Sequence, residues 1–254
     1  MEDIFSVKNE IIIITGAGRG IGEFLANNLA GRNALVYCID KKFPTPIPNK
    51  LSNNLFHLTC DITNKKLFQN YCKKIFLKHK KIDVLINCAG ISYAVQNKNE
   101  FYPEKKWLDT ININLTSAFN CSQSVIFYMI KNKSGSIINI TSVNAELGFP
   151  RNPAYVASKG GLKMLSKALA KDWGNFGIRV NCLGPGYVKT DMTMKRFLNK
   201  KTRKQRESRT ILGRWAEKND LIGPCIFLAS DASEYITGQD IYVDGGWLAN
   251  GLSE

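Results

Sequence analysis

Two side chains four residues apart carry the first suggestion of chemistry: Tyr155 and Lys159, in Tyr155-Val156-Ala157-Ser158-Lys159. On a helix that spacing puts both on one face, one turn apart. A free tyrosine, with a pKa of about 10, is a poor base at neutral pH. A cation one turn away favours the phenolate and lowers that pKa. Upstream stands Ser142, a hydroxyl able to hydrogen-bond a reacting oxygen. Asn114 is a fourth candidate, in Asn112-Ile113-Asn114-Leu115. Asparagine is a modest helix former, so its place in a long helical stretch suggests a role such as holding a water that relays protons to Lys159. Together these residues spell acid–base work at a hydroxyl or carbonyl oxygen. A bare Tyr-x-x-x-Lys pair also fits a surface i,i+4 contact.

A second signal lies near the N-terminus. Thr15-Gly16-Ala17-Gly18-Arg19-Gly20-Ile21-Gly22 follows the β-branched run Ile11–Thr15 and opens a helical stretch. Glycines there let backbone N–H groups approach a pyrophosphate at the positive end of a helix. A glycine-rich turn alone also fits an ordinary strand–helix connection. Asp40 adds weight, because a carboxylate ending the next strand can accept hydrogen bonds from both ribose hydroxyls of an adenosine. A 2′-phosphate would meet that charge, so NAD is expected ahead of NADP. Arg19, Lys41 and Lys42 are cations that keep NADP possible. Repulsion inside the ribose pocket outweighs exposed, screened lysines.

Positioning these groups needs alternating strands and helices. Apolar runs of strand length recur at Ile11–Thr15, Ala34–Ile39, Leu55–Thr59, Ile82–Ile86, Ser136–Thr141, Ile178–Leu183 and Gln239–Val243. Unbroken runs of this kind suit strands buried on both faces of a parallel sheet. Between them, Leu67, Phe68, Tyr71, Cys72, Ile75 and Phe76 keep a helical stripe, and Trp107–Ile130 and Ala154–Trp173 are long enough for several turns. The expectation is a single α/β domain over 1–254, with a doubly wound, parallel, seven-stranded Rossmann-like sheet. Lys41–Pro48 carries three alternating prolines, so the second crossover reads as an irregular loop and not a full helix.

The 254 residues carry 35 Lys or Arg against 21 Asp or Glu, a net charge of +14. Such a balance can mark a nucleic-acid or membrane-surface protein. No basic strand interleaved with aromatics and no DNA-reading motif accompanies it, so neither partner is expected. No apolar run nears the roughly 20 residues that span a bilayer. The N-terminus lacks a basic region of the signal-peptide kind. Seven scattered cysteines with no Cys-x-x-Cys pair read as reduced, buried thiols of a cytoplasmic protein, and two histidines leave a metal site unexpected.

In their order and spacing the motifs resemble the short-chain dehydrogenase/reductase family along essentially the whole chain. The resemblance makes Thr15–Gly22 the cofactor loop, with Gly16, Gly18, Arg19, Gly20, Ile21, Gly22 and Asp40 as contacts. It places Asp61 and Ile62 beside the adenine, and Asn87, Ala89 and Gly90 after the fourth strand. Cys88 stands where the family pattern usually has a second asparagine. Asn114, Ser142, Tyr155 and Lys159 become the catalytic set, with Tyr155 and Lys159 also touching the cofactor. Pro185, Gly186, Val188 and Thr190 form the nicotinamide-side loop, and Asp244-Gly245-Gly246 a C-terminal signature. The family implies strand order 3-2-1-4-5-6-7, hydride transfer between NAD(P) and a CH–OH or carbonyl carbon, and usually a homotetramer or dimer. A cofactor-sensing protein without catalysis is the non-enzyme alternative, and the complete Ser142–Tyr155–Lys159 set argues against it.

The family builds its substrate lid at about 191–215. Within it, 195–209 holds eight Lys or Arg against the single Glu207, a net +7. That cluster suggests an anionic substrate, though a solvated helix face fits equally well. The C-terminal segment from Gly238 to Trp247 resembles members acting on sugar acids, such as gluconate 5-dehydrogenases. It also resembles 3-oxoacyl-carrier-protein reductases, and the proline loop resembles dihydrodiol-type dehydrogenases. A small sugar acid or sugar derivative is the expected substrate. Trp215 and Trp247 offer flat faces for it, or simple packing.

Overall fold

The computed structural model describes residues 3–44, 53–97 and 101–251. Seven strands form one parallel sheet in the order β3-β2-β1-β4-β5-β6-β7. They are β1 Ile11–Thr15, β2 Leu35–Asp40, β3 Leu55–Thr59, β4 Val84–Asn87, β5 Gly135–Ile140, β6 Ile178–Pro185 and β7 Asp240–Val243. This is the α/β doubly wound order that the family resemblance implies. Register is parallel throughout, Ile13 facing Tyr37 on one side and Leu85 on the other.

The two faces of the sheet carry separate cores, and β1 explains how. Successive side chains on a strand point to opposite faces. Ile12 and Ile14 pack with Leu25, Leu29 and Ala26 of α1 (Gly20–Ala30). Ile11 and Ile13 belong to the opposite core, with Phe68 and Cys72 of α2 (Lys65–His79). Because both faces are covered, β1 is apolar at four consecutive positions instead of alternating. Among the described residues no helix joins β2 to β3; half of the proline segment, from Thr45 to Pro48, lies outside them.

The stretch expected as one helix over Trp107–Ile130 is interrupted. It runs as α3 (Glu104–Ile111), a π turn over Asn112–Thr116, and α4 (Ser117–Asn132). Such turns recur at functional sites. The next helix, α5 (Pro153–Trp173), starts with a proline at its first position. A missing N–H costs nothing there and the fixed φ suits a helix. Tyr155 therefore lies in the first turn and Lys159 one turn on. After β6 come two short helices, α6 (Asp191–Leu198) and α7 (Lys200–Glu207), then α8 (Ile222–Ala229) packed under the sheet against α1. The seven cysteines are unpaired, and all but Cys88 are buried.

Candidate active site

A cleft of about 540 Å³ opens along the C-terminal ends of β1, β2, β4, β5 and β6. In open α/β sheets this crevice is where ligands bind. Its floor begins at Gly16, whose φ is +70° and whose position would bring a β-carbon to 2.6 Å from Ala89 Cα. Only glycine lets the β1 loop lie against the β4 loop so closely. Thr15 Oγ1 closes the same contact by accepting from the N–H groups of Cys88 and Ala89 at 3.2 and 3.3 Å. Gly20 has φ +67° and nothing within 4 Å of where its β-carbon would stand. Helix α1 starts there with no capping side chain, since Arg19 makes no cap bond. Its first N–H groups therefore face open space at the positive helix end, a cradle that fits a dinucleotide pyrophosphate.

Asp40 stands at one end of the cleft. Its carboxylate accepts from the N–H of Gly18 at 2.9 Å and of Lys42 at 3.2 Å, with Arg19 and Lys41 on the same wall. Asp61 accepts from both N–H and hydroxyl of Thr63 at 2.9 and 2.8 Å, which holds its carboxyl below the usual range. Gly16, Arg19, Gly20, Ile21, Gly22, Asp40, Asp61, Ile62, Ala89, Gly90, Tyr155, Lys159, Pro185, Gly186, Val188 and Thr190 all line this cleft.

Two expected cofactor contacts do not. Gly18 is packed against Asp40 and the Lys42 carbonyl. Asn87 turns into the core, where its Nδ2 donates to Asn139 Oδ1 at 2.8 Å and Ser122 Oγ at 3.1 Å. Its alternation on β4 points the side chain toward α4, so it braces the floor from beneath. Several lining residues escaped the sequence reading: Ile91, Ser92, Ile113, Thr141 and Met192 among them. Their only signal was position, one or two residues beyond a recognised motif. Cys88 also lines the cleft, and burial pushes its thiol to about 12.

The four acid–base candidates converge on the far half. Ser142 stands two residues past the end of β5 and caps the short turn Val143–Ala145, its Oγ accepting from Asn144 N–H at 3.2 Å. Lys159 is 5% exposed and donates from Nζ to the Ile140 carbonyl at 2.6 Å. Burial of the ammonium pulls its pKa down to about 8. Its Nζ lies 5.7 Å from the Tyr155 ring centre. Burial pushes the Tyr155 phenol above its ordinary value, while the hydrogen bond with Ser142 acts against that rise. The Lys159 ammonium is turned onto the Ile140 carbonyl, and Ser142 is the neighbour whose hydrogen bond acts on the phenol in this arrangement.

Asn114 accepts from Ile91 N–H at 2.8 Å and donates to Ile91 O at 2.9 Å and Ser158 Oγ at 3.0 Å. It ties the loop after β4 to α5, and its Oδ1 keeps a second lone pair with which to hold a water. Gly90 fits between Asn114 and Lys159, its β-carbon position 3.4 Å from Asn114 Oδ1 and 3.7 Å from Lys159 Nζ.

Thr190 and Thr193 form a capping box that fixes the start of α6 on the rim of the cleft. Within α6 and α7, Lys200, Lys201 and Lys204 are exposed, whereas Arg196, Arg203 and Arg206 are half-buried. Trp215 and Trp247 are 2% and 8% exposed and pack on either side of Tyr187, at 5.2 and 5.0 Å between ring centres. They are packing residues, not open platforms.

A family model described as Enoyl-(Acyl carrier protein) reductase, of the short-chain alcohol dehydrogenase type, matches residues 16–248. The chain belongs to the short-chain dehydrogenase/reductase family. The 2-dehydro-3-deoxy-D-gluconate 5-dehydrogenase of Bacillus subtilis is 34% identical, covering 98% of both chains. A 3-oxoacyl-acyl-carrier-protein reductase of Thermotoga maritima is 35% identical over 94% of this chain and 98% of its own. The crystal structure of a gluconate 5-dehydrogenase from Burkholderia cenocepacia in complex with NADP and tartrate superposes with a TM-score of 0.90. It is 32% identical, covering 97% of this chain and 98% of that one. This short-chain dehydrogenase/reductase is an oxidoreductase acting on CH–OH groups with NAD(P).

Proposed function

We propose that the protein interconverts a secondary alcohol and a ketone on a sugar acid, with Tyr155 as its acid–base group. The observation that carries this reading is the meeting of Ser142, Tyr155 and Lys159 in the cleft that also holds the open glycine cradle. When bound, the nicotinamide supplies or takes the hydride. The chain's own residues do the rest. Ser142 and Tyr155 hold the substrate oxygen between their hydroxyls. In reduction Tyr155 donates its proton to the developing alkoxide; in oxidation the phenolate takes it back. A phenol held protonated by burial suits the donor role. Lys159, near neutrality, holds the nicotinamide ribose and restores the Tyr155 proton. Asn114 is a positioning residue that keeps the loop after β4 in place.

The sugar-acid substrate is supported by the gluconate and deoxygluconate enzymes among the relatives. The acyl-carrier reductases make a 3-oxoacyl thioester the second reading. For the cofactor, the Asp40 carboxylate on the ribose wall supports NAD(H) ahead of NADP(H), while Arg19 and Lys41 beside it can meet a 2′-phosphate. We place 191–215 as the substrate lid. Exposed Phe119 and Phe127 on α4 and Met164 on α5 support a homo-oligomer. Seven unpaired thiols support a reducing compartment, the cytoplasm. The test is nicotinamide absorbance with keto sugar acids, acyl thioesters and cyclic diols. Turnover of a keto sugar acid well above the others supports the reading; preference for a thioester overturns it.

A further inference from the structure

Arg206 projects from α7 onto rings contributed by three other segments. Its guanidinium carbon lies 4.8 Å from the Tyr187 ring centre, 5.0 Å from Phe149 and 5.7 Å from Trp247. Arg209 lies 5.9 Å from the same Trp247 ring. Phe149 belongs to the stretch between Ser142 and Tyr155. Tyr187 sits between Gly186 and Val188, both of which line the cleft. The cage therefore stands where the acid–base segment, the loop after β6 and the lid meet.

The charges here are not balanced. Arg196, Arg206 and Arg209 all act on Tyr187, and Arg196 also on Tyr155. Arg203 pairs with Glu207 and Arg214 with Asp220, but among the described residues no carboxylate pairs with Arg196, Arg206 or Arg209. Arg206 Nε is buried with no hydrogen-bond partner. Burial and the two neighbouring arginines weaken its hold on its proton. Ring faces attract a cation without neutralising it. A half-buried, unpaired guanidinium beside like charges is stabilised when an anion joins it, and its planar fork matches a carboxylate.

We propose that Arg206, seated on Tyr187, Phe149 and Trp247, binds the carboxylate of the substrate and selects an acid over a neutral sugar. This rests on the sugar-acid reading of the same site. The exposed lysines of α7 have no part in it, which locates the selective charge in one residue of the basic cluster.

The experiment measures two things for wild type, Arg206→Gln, Arg206→Lys and Lys201→Gln at low salt. One is calorimetric binding of tartrate, a small dicarboxylate, to the NADH-saturated protein. The other is kcat and KM for reduction of 5-keto-D-gluconate. Retained NADH binding reports that each variant folds, and Arg206→Lys keeps the charge should Arg206→Gln fail to fold. The expected result for Arg206→Gln is tartrate binding weaker and KM higher by about tenfold or more, with kcat within about threefold. Arg206→Lys falls between, because it keeps the charge and loses the fork, and Lys201→Gln stays within about twofold. Arg206 variants that bind tartrate and keto acid like wild type overturn the proposal, as does a wild type that binds no tartrate. A wild type that reduces no sugar acid but binds tartrate through Arg206 overturns the sugar-acid reading and supports the carboxylate site.

Discussion

Under the cleft, buried polar side chains are linked in a chain of hydrogen bonds, with Asn87 Oδ1 alone in that chain left without a partner. Asn87 donates to Asn139, Asn139 to Ser166 Oγ at 2.8 Å, and the Cys182 thiol to the same Ser166 oxygen at 3.0 Å. Above it, α6 and α7 hold no fully buried residue, and Arg203 and Arg206 rest on ring faces. A buried hydrogen-bonded chain favours one geometry, because a shift leaves further polar groups unpaired. A cation on a ring face tolerates sliding. The floor is thus suited to a reaction that demands fixed positions, and the lid to choosing what enters.

If that division holds, a floor substitution should damage chemistry and a lid substitution should damage selection. The largest effect is expected from Lys159→Met, with kcat/KM lower by about a thousandfold or more and dinucleotide binding weakened in a fluorescence titration. The same variant carries a pH signature. Lys159 has a folded pKa of about 8 against an ordinary 10.5, so burial of its charge destabilises the wild type. Below pH 8 both folded and unfolded chains hold the proton and the cost, about 3 kcal/mol, is felt in full. From pH 8 to 10.5 the unfolded chain holds more protons, so wild-type stability rises relative to Lys159→Met. Urea unfolding of both proteins across that range should show the gap closing; a constant gap would contradict the assignment.

A smaller effect is expected at the cofactor end. Asp40→Ala should lower the NADH-over-NADPH ratio of kcat/KM by about tenfold, because it removes the carboxylate a 2′-phosphate would face. A wild type that already prefers NADPH tenfold would place Arg19 and Lys41 above Asp40 in that balance. The smallest effect is expected on the outer face of the lid. Lys200→Glu, Lys201→Glu and Lys204→Glu together should change the KM for a keto sugar acid less than about threefold, fading as salt rises. A large, salt-resistant change would move substrate recognition from the half-buried arginines to these lysines.

The sheet was legible because burial on both faces writes itself as β-branched runs, as in Ile11–Ile14. The cradle was legible because Gly16 and Gly20 adopt backbone that other residues avoid. What was hidden depends on side-chain direction or distant contacts. Asn87 sits in a cofactor motif yet faces the core, since its place on β4 decides its direction. The π turn at Asn112–Thr116 holds Asn114 against Ile91, a contact with no local pattern in the sequence. The basic cluster was plain, but only folding distinguishes Arg206 from its neighbours, by bringing together Phe149, Tyr187 and Trp247. The packing of Trp215 and Trp247 was equally undecided until Tyr187 was seen between them.

The central claim, that Tyr155 moves the proton, is tested most directly by Tyr155→Phe. The ring still packs beside Lys159 and Ser142; only the hydroxyl is lost. Reduction of 5-keto-D-gluconate should fall by about a hundredfold to ten-thousandfold in kcat, with dinucleotide affinity by fluorescence titration unchanged. Retention of more than a few per cent of the wild-type rate would contradict the account.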